Sequence, residues 1–171
     1  MKRIQIEGKE YIFEYAIEAT LYNECTERIM DIFVNSGLAQ GEIEEAASES
    51  GIDAAEKAIR RTVSSMADIP RTAVTLFYAG LLEHHGTDVG DGTIKSLNDA
   101  KKLVSAYMRE HKDENDGKGK NLFDIMNEMM ELMVEDSFFE QIGLDKMFNQ
   151  MNEKVEKATK KVTKKAKPGN N

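Results

Sequence analysis

The sequence is poor in cysteine, proline and tryptophan. Cys25 is the only thiol among the 171 residues, so these residues can form neither an internal disulfide nor a zinc site built on paired cysteines. A single thiol suits a reducing compartment. Tryptophan is absent, and proline occurs only at Pro70 and Pro168. Because the chain is rich in Glu, Lys, Ala and Met, which favour helix, its composition predicts a mainly α protein.

Long apolar runs are missing as well. No stretch approaches the roughly 20 apolar residues that a membrane-spanning helix needs. The first ten residues, MKRIQIEGKE, contain basic residues but no apolar segment behind them, so no signal peptide is expected. We therefore expect a cytoplasmic protein with no membrane partner.

Charge is unevenly distributed along the chain. The net charge is −8, but residues 153–171 contain seven Lys and two Glu and so carry +5. The preceding body then carries −13. An acidic body repels nucleic acid and anionic membranes and keeps a binding protein soluble, so no nucleic-acid partner is expected.

The first 110 residues are expected to form one domain. Apolar residues alternate with polar ones on both sides of Gly8-Lys9, which predicts a β-hairpin with its turn at that dipeptide. Three- and four-residue apolar spacing then predicts helices, one of which starts at Pro70. The acidic, Ala-rich segment 42–56 is compatible with either a weak helix or a mobile insertion.

The rest of the chain divides into three parts. Residues 111–120 have no apolar side chain and are interpreted as a charged, flexible linker. Residues 121–152 are predicted to form a Met-rich helical segment, and residues 153–171 are predicted to form a Lys-rich disordered tail. The predicted fold is a helical bundle with a small N-terminal β-hairpin and a separate C-terminal helical segment.

No pattern of catalytic residues is visible. His84 and His85 are adjacent, so on a helix they point about 100° apart, and a solvated helix end explains them. Cys25 lies on an apolar stripe, where a buried, inert thiol is the usual case. We expect no enzyme activity, no cofactor and no metal site.

The methionines are the most informative residues. Six of the ten lie between Met126 and Met151. Flexible, polarizable Met side chains suit a surface that adapts to varied apolar partners, but the same helical spacing also suits core packing. Both interpretations stay open, and the position after a linker favours partner binding.

Two segments resemble phage tail assembly chaperones. MKRIQIEGKEYIFEYAIEATLYNE resembles their opening hairpin running into a helix, and IPRTAVTLFYAGLLEHHG, residues 69–86, resembles their central apolar helix. The similarity covers roughly residues 1–110 and extends loosely to about 150. The segments 42–56 and 111–120 have no counterpart in the family pattern.

The resemblance implies a function in virion assembly. Such proteins from long-tailed phages and prophages bind the tape measure protein in the host cytoplasm and keep it soluble. They also help recruit tail tube subunits, through a frameshifted long form of which this chain would be the short form. They are absent from the mature virion, and a homo-oligomer is possible. Alternatives are a capsid scaffolding-type protein and a nucleic-acid-associated regulator that uses the Lys-rich tail.

A client for such a chaperone is a long helix with exposed apolar surface. Aliphatic, aromatic and Met side chains are the groups that bind it. The hypothesis drawn from the sequence is a partner-binding surface formed by Phe123, Met126, Met130, Met133, Phe138 and Phe139.

Overall fold

The structure is a computed structural model that describes residues 1–32, 52–113, 119–144 and 146. It confirms the predicted fold class, which is mainly helical with an N-terminal two-stranded antiparallel hairpin and a C-terminal helical segment. Within the segment 42–56, residues 52–56 are helical; residues 42–51 and the predicted tail 153–171 lie outside the described residues. The elements in chain order are β1 (Lys2–Ile6), β2 (Lys9–Phe13), α1 (Ile17–Leu21), α2 (23–32), α3 (Ile52–His85), α4 (Leu97–Glu110), α5 (Leu122–Glu135) and α6 (Phe138–Gln141).

The hairpin turns at Glu7 and Gly8, one residue earlier than the predicted Gly8-Lys9. Both residues have positive φ, 52° and 74°, as a two-residue turn that matches the twist of the strands requires. Contacts with the end of α4 hold Glu7 in this conformation. Its backbone N–H donates to the Glu110 carboxylate at 2.7 Å, and its own carboxylate accepts from Arg109 at 3.1 Å. The hairpin is therefore anchored at its tip.

Helix α3 is the centre of the fold and packs against the hairpin, α1, α4 and α5. The sequence predicted that this helix starts at Pro70, but it begins at Ile52 and Pro70 lies inside it. An internal proline removes one backbone hydrogen bond. The residues from Thr72 to Phe77 are all buried, so tertiary packing offsets this local cost.

The hairpin lies directly on α3 at Gly80. A Cβ atom at this position would lie 3.1 Å from ring atoms of both Phe13 and Tyr15. The Phe13 ring also packs edge-on against Phe77, with the ring centroids 4.7 Å apart. The buried Tyr15 hydroxyl donates to the Leu76 carbonyl at 2.9 Å. The absence of a side chain at Gly80 thus leaves room for the rings of Phe13 and Tyr15.

The two histidines at the end of α3 hold the hairpin, whereas the sequence predicted a solvated helix end. His85 is only 6% exposed, and its Nε2 accepts the backbone N–H of Ile12 at 3.0 Å. Since that N–H can only donate, the ring proton sits on Nδ1, which lies 3.0 Å from the Asp91 carboxylate. His84 Nε2 lies 2.6 Å from the Glu14 carboxylate.

The C-terminal helices share this core. The sequence placed α5 on a flexible linker with no large core of its own, but α5 packs along α3. Phe138 of α6 is fully buried and contacts the Tyr15 ring, with the centroids 5.8 Å apart. The first and last residues of the segment 111–120 are close in space: the backbone N–H of Lys120 donates to the backbone carbonyl of His111 at 3.2 Å. This geometry holds α5 against the N-terminal domain.

Candidate protein-binding surface

Helix α5 has two adjoining apolar faces. Nine of its fourteen residues are apolar, and successive positions on a helix are about 100° apart. One face packs into the core and is at most 2% exposed; it comprises Ile125, Met129, Leu132 and Met133. The adjoining face spans an arc of about 80°. We name it the α5 stripe, and it consists of Phe123, Met126, Met130 and Val134.

The α5 stripe is a partly exposed apolar ridge. Phe123 is 50% exposed and Val134 is 65% exposed. Met126 and Met130, between them, are partly buried against the core. At 1.5 Å per residue, the ridge is about 16 Å long. An apolar ridge of this kind on a folded helix is the usual form of a surface that another helix covers.

A polar cluster around Glu128, which we name the Glu128 cluster, fixes which face of α5 points outward. The Glu128 carboxylate accepts hydrogen bonds from Lys120 at 2.8 Å, from Lys2 at 2.9 Å and from the Tyr107 hydroxyl at 3.0 Å. Burial acts to raise the pKa of Glu128, but the hydrogen bonds from Lys120 and Lys2 outweigh it and leave the pKa below its usual value. The cluster ties α5 to α4 and β1, so the stripe cannot rotate inward without breaking it.

The first turn of α5 is fixed by a capping box. The Asn121 side chain accepts the backbone N–H groups of Phe123 at 2.8 Å and Asp124 at 3.1 Å. In return, the Asp124 carboxylate accepts the Asn121 N–H at 2.9 Å. Such reciprocal bonds satisfy the free donors of a helix start. The exposed Phe123 ring is therefore presented from a rigid backbone.

The charge next to the stripe is acidic. Helix α5 contains four carboxylates and no basic residue. Glu128 is neutralised by the two lysines that contact it. Glu131 and Glu135 are exposed, and helical spacing places both on the same flank of the stripe. The ridge thus suits a partner that is apolar on one side and basic beside it.

A groove of about 700 Å³ begins where the stripe starts. Leu122 lines this groove, and the next residue, Phe123, is the first of the stripe. Glu24, Arg71 and Lys101 contribute charged side chains. The apolar lining is Pro70, Val74, Leu97, Val104, Met108 and Leu122. Groove and stripe together offer apolar surface on both sides of the first turn of α5.

The structure divides the six residues that the sequence assigned to partner binding. Phe123, Met126 and Met130 lie on the stripe. Met133 and Phe138 are fully buried in the core, so neither can contact a partner while the protein is folded. Phe139 is half-buried and packs against Phe138, with the ring centroids 6.0 Å apart.

The sequence analysis missed Val134. It lies eleven residues after Phe123, which is three helical turns, so a helical projection of 122–135 places it in line with Phe123. The signal was therefore present, but the apolar residues on the adjoining face obscured it.

The described residues include one buried thiol and no candidate metal site. No group of three or more His, Cys, Asp or Glu side chains within this part of the chain is placed to hold a metal ion. Cys25 is buried, and burial raises the pKa of its thiol to about 12, which keeps it protonated and unreactive. None of the helices in the described ranges is long and apolar enough to cross a membrane.

Comparison with known proteins identifies no relative. No family model, no curated protein and no solved structure matches the chain.

Proposed function

We propose that the protein is a tail assembly chaperone of a long-tailed phage or prophage, which binds the tape measure protein in the host cytoplasm. The observation that carries this proposal is the α5 stripe, a partly exposed apolar ridge on a helix whose orientation is fixed by the Glu128 cluster. The resemblance of residues 1–24 and 69–86 to this family supports the same function.

The size of the stripe suits a weak, repeated contact. Covering the exposed parts of Phe123 and Val134 would contribute on the order of 1–2 kcal/mol each, before the cost of association. One copy would therefore bind weakly, and a long client would need many copies. Weak individual contacts also allow polymerising tail tube subunits to displace the chaperone. In the proposed function, a frameshifted long form recruits those subunits.

Acidic charge supports the same function. A body of net −13 keeps the complex of chaperone and apolar client soluble by mutual repulsion. The exposed carboxylates beside the stripe disfavour acidic partners and favour helices with basic flanks.

Co-expression with the tape measure protein tests the proposal. We expect the tape measure protein to be soluble only when this chain is present, and to co-elute with it in size-exclusion chromatography. Precipitation of the tape measure protein in both cases would exclude the chaperone function. Co-elution with a capsid protein instead would favour the scaffolding alternative.

A further inference from the structure

We propose that a trough along helix α4 is a docking site for an acidic amphipathic helix of a partner protein, separate from the α5 stripe. The trough joins the groove of about 700 Å³ described above to a second hollow of about 620 Å³ at the end of α4. We name the two hollows together the α4 trough. Docking of this kind does not depend on the tape measure protein, so it goes beyond the proposed function.

The two hollows adjoin along one side of α4. Ser105 and Met108 line both of them. Within α4, the lining runs from Leu97 to Arg109, which is about 18 Å at 1.5 Å per residue. Helix α3 and the first residue of α5 form the opposite wall of the larger hollow. The α4 trough is therefore long enough to hold about three turns of a docked helix.

The floor of the α4 trough is aliphatic. Its apolar residues are Pro70, Val74, Leu97, Val104, Met108 and Leu122. None of the described residues that line the trough is aromatic. Proteins that bind single-stranded nucleic acid stack its bases on aromatic rings, whereas a docked helix inserts aliphatic anchors into an apolar groove. The lining therefore favours a helix over a nucleic acid.

The charge of the α4 trough is basic, although the body of the protein is acidic. Its one carboxylate is Glu24, which accepts from Arg71 at 2.8 Å and from the Tyr22 hydroxyl at 2.9 Å. The basic side chains of the lining are Arg71, Lys101, Arg109, Lys112 and Lys120. Five cations and one carboxylate give the lining a net charge of +4. Such a lining is complementary to an acidic partner.

Lys101 and Lys112 carry the charges that are open to a partner. Both are exposed, and neither forms an ion pair with another described residue. By contrast, Glu128 holds Lys120, and Arg109 contacts Glu7. Lys101 and Lys112 are roughly 16 Å apart along the direction of α4, which is three helical turns. A partner helix with carboxylates three turns apart can contact both lysines while apolar residues between them fill the floor.

The acidic body does not prevent this docking at physiological salt. Exposed charges farther apart than about 8 Å are largely screened there, so the charges that line the α4 trough dominate for a helix lying in it. They also distinguish the trough from the α5 stripe, whose flank carries only carboxylates. The chain thus has two docking sites with opposite charge preferences.

Fluorescence anisotropy with designed peptides tests the inference on the full-length chain. The probe is a labelled peptide of about 15 residues, with Leu at steps of three and four and Glu at the other positions. The comparison peptide has the same residues in an order that gives no apolar face. We expect the amphipathic peptide to bind saturably at physiological salt, and at least about tenfold more tightly than the comparison peptide. Equal binding of the two peptides, or no binding of either, would overturn the inference.

Charge reversal shows whether the peptide binds in the α4 trough. The test variant combines Lys101→Glu with Lys112→Glu. The control combines Lys95→Glu with Lys146→Glu, at exposed positions that do not line the trough, and has the same net charge. We expect the peptide to bind the test variant at least about tenfold more weakly and the control less than about twofold more weakly. Equal losses would mean that only the overall charge matters, which contradicts a specific site.

Steric blocking gives a second measurement that leaves the charge unchanged. Ser105 is exposed and lines both hollows, so the ring of Ser105→Trp would fill the middle of the α4 trough. Asn127→Trp, at an exposed position on α5 outside the trough, is the control. Circular dichroism establishes that both variants fold. We expect Ser105→Trp to abolish peptide binding and Asn127→Trp to retain it.

Three results would overturn the inference. Undiminished peptide binding by a folded Ser105→Trp would show that the peptide binds elsewhere. Displacement of the peptide by single-stranded oligothymidylate would assign the α4 trough to nucleic acid. Self-association of the unmodified chain in analytical ultracentrifugation, lost in Ser105→Trp, would assign the trough to a second copy.

Discussion

The Lys120 ammonium group donates a 2.8 Å hydrogen bond to the Glu128 carboxylate, and the two side chains are only 16% and 14% exposed. Lys120 also lies over the Tyr107 ring, 4.6 Å from its centroid. This pair joins Lys120, two residues before α5, to the middle of α5, and Lys2 connects the hairpin to the same carboxylate. This contact fixes the rotation of α5 about its own axis, so that the core face packs inward and the α5 stripe points outward.

Replacing the carboxylate should destabilise the fold. In Glu128→Gln, Lys120 loses its charge partner while remaining largely buried, so we expect a loss of about 1–3 kcal/mol in the free energy of unfolding. Urea denaturation measures the change. Glu131→Gln on the exposed side of the same helix is the matched control and should change stability by less than about 0.5 kcal/mol. Equal effects of the two variants would show that the pair does not hold α5.

Stability should fall in acid. Hydrogen bonds from Lys120 and Lys2 outweigh the effect of burial and lower the pKa of Glu128 from 4.5, and hydrogen bonding to Thr93 lowers the pKa of Asp91 from 3.8 to about 2. A carboxyl group whose pKa is lower in the folded state stabilises the fold above its unfolded pKa. That stability is lost as the pH falls through the folded pKa.

Urea midpoints at several pH values check this prediction. We expect a plateau above about pH 5 and a decline between about pH 4.5 and pH 2. Glu128→Gln should show a shallower decline, because one of the responsible carboxyl groups is gone. A midpoint that rises in acid would contradict the assignment.

His85 should matter more than its neighbour. Without the His85 ring, the Ile12 N–H loses its acceptor, so His85→Ala should cost about 1–3 kcal/mol. His84→Ala removes a half-exposed contact with Glu14 and should cost at most about 1 kcal/mol. Thermal denaturation of both variants gives the comparison. A larger loss for His84→Ala would reverse the assigned roles.

Gly80→Ala should destabilise the protein although alanine is the better helix former. The gain in helix propensity is about 1 kcal/mol. The added Cβ would meet the buried rings of Phe13 and Tyr15 at 3.1 Å, and overpacking of this kind costs about 1–3 kcal/mol. A net loss in urea denaturation is expected. A more stable variant would show that the hairpin moves away from α3 without cost.

Local patterns predicted the fold class well. Alternation on either side of the turn identifies the hairpin, because strands repeat every two residues. The apolar spacing of Leu97, Val104 and Tyr107 predicts α4, because helices repeat every 3.6 residues. The prediction that α3 starts at Pro70 was wrong. The packing that tolerates an internal proline comes from residues distant in sequence, which a local pattern does not reveal.

The candidate surface was only partly predictable. The apolar residues of helix α5 extend over two adjoining faces, and its sequence alone does not determine which of them meets α3. Met133 and Phe138 are buried because α3 and Tyr15 lie against them, while Val134 is exposed because nothing described covers it. Similarly, the role of His85 depends on Ile12, 73 residues away in sequence.

A matched pair of valine variants tests the central claim most directly. Val134 on the α5 stripe and Val89 in the loop after α3 are 65% and 60% exposed, so Val134→Asp and Val89→Asp make the same change at similar exposure. Each variant is co-expressed with the tape measure protein, and the soluble client is measured after circular dichroism has established that both variants fold. The account predicts that Val134→Asp loses client solubilisation and that Val89→Asp retains it. Full solubilisation by a folded Val134→Asp would contradict the assignment of the stripe.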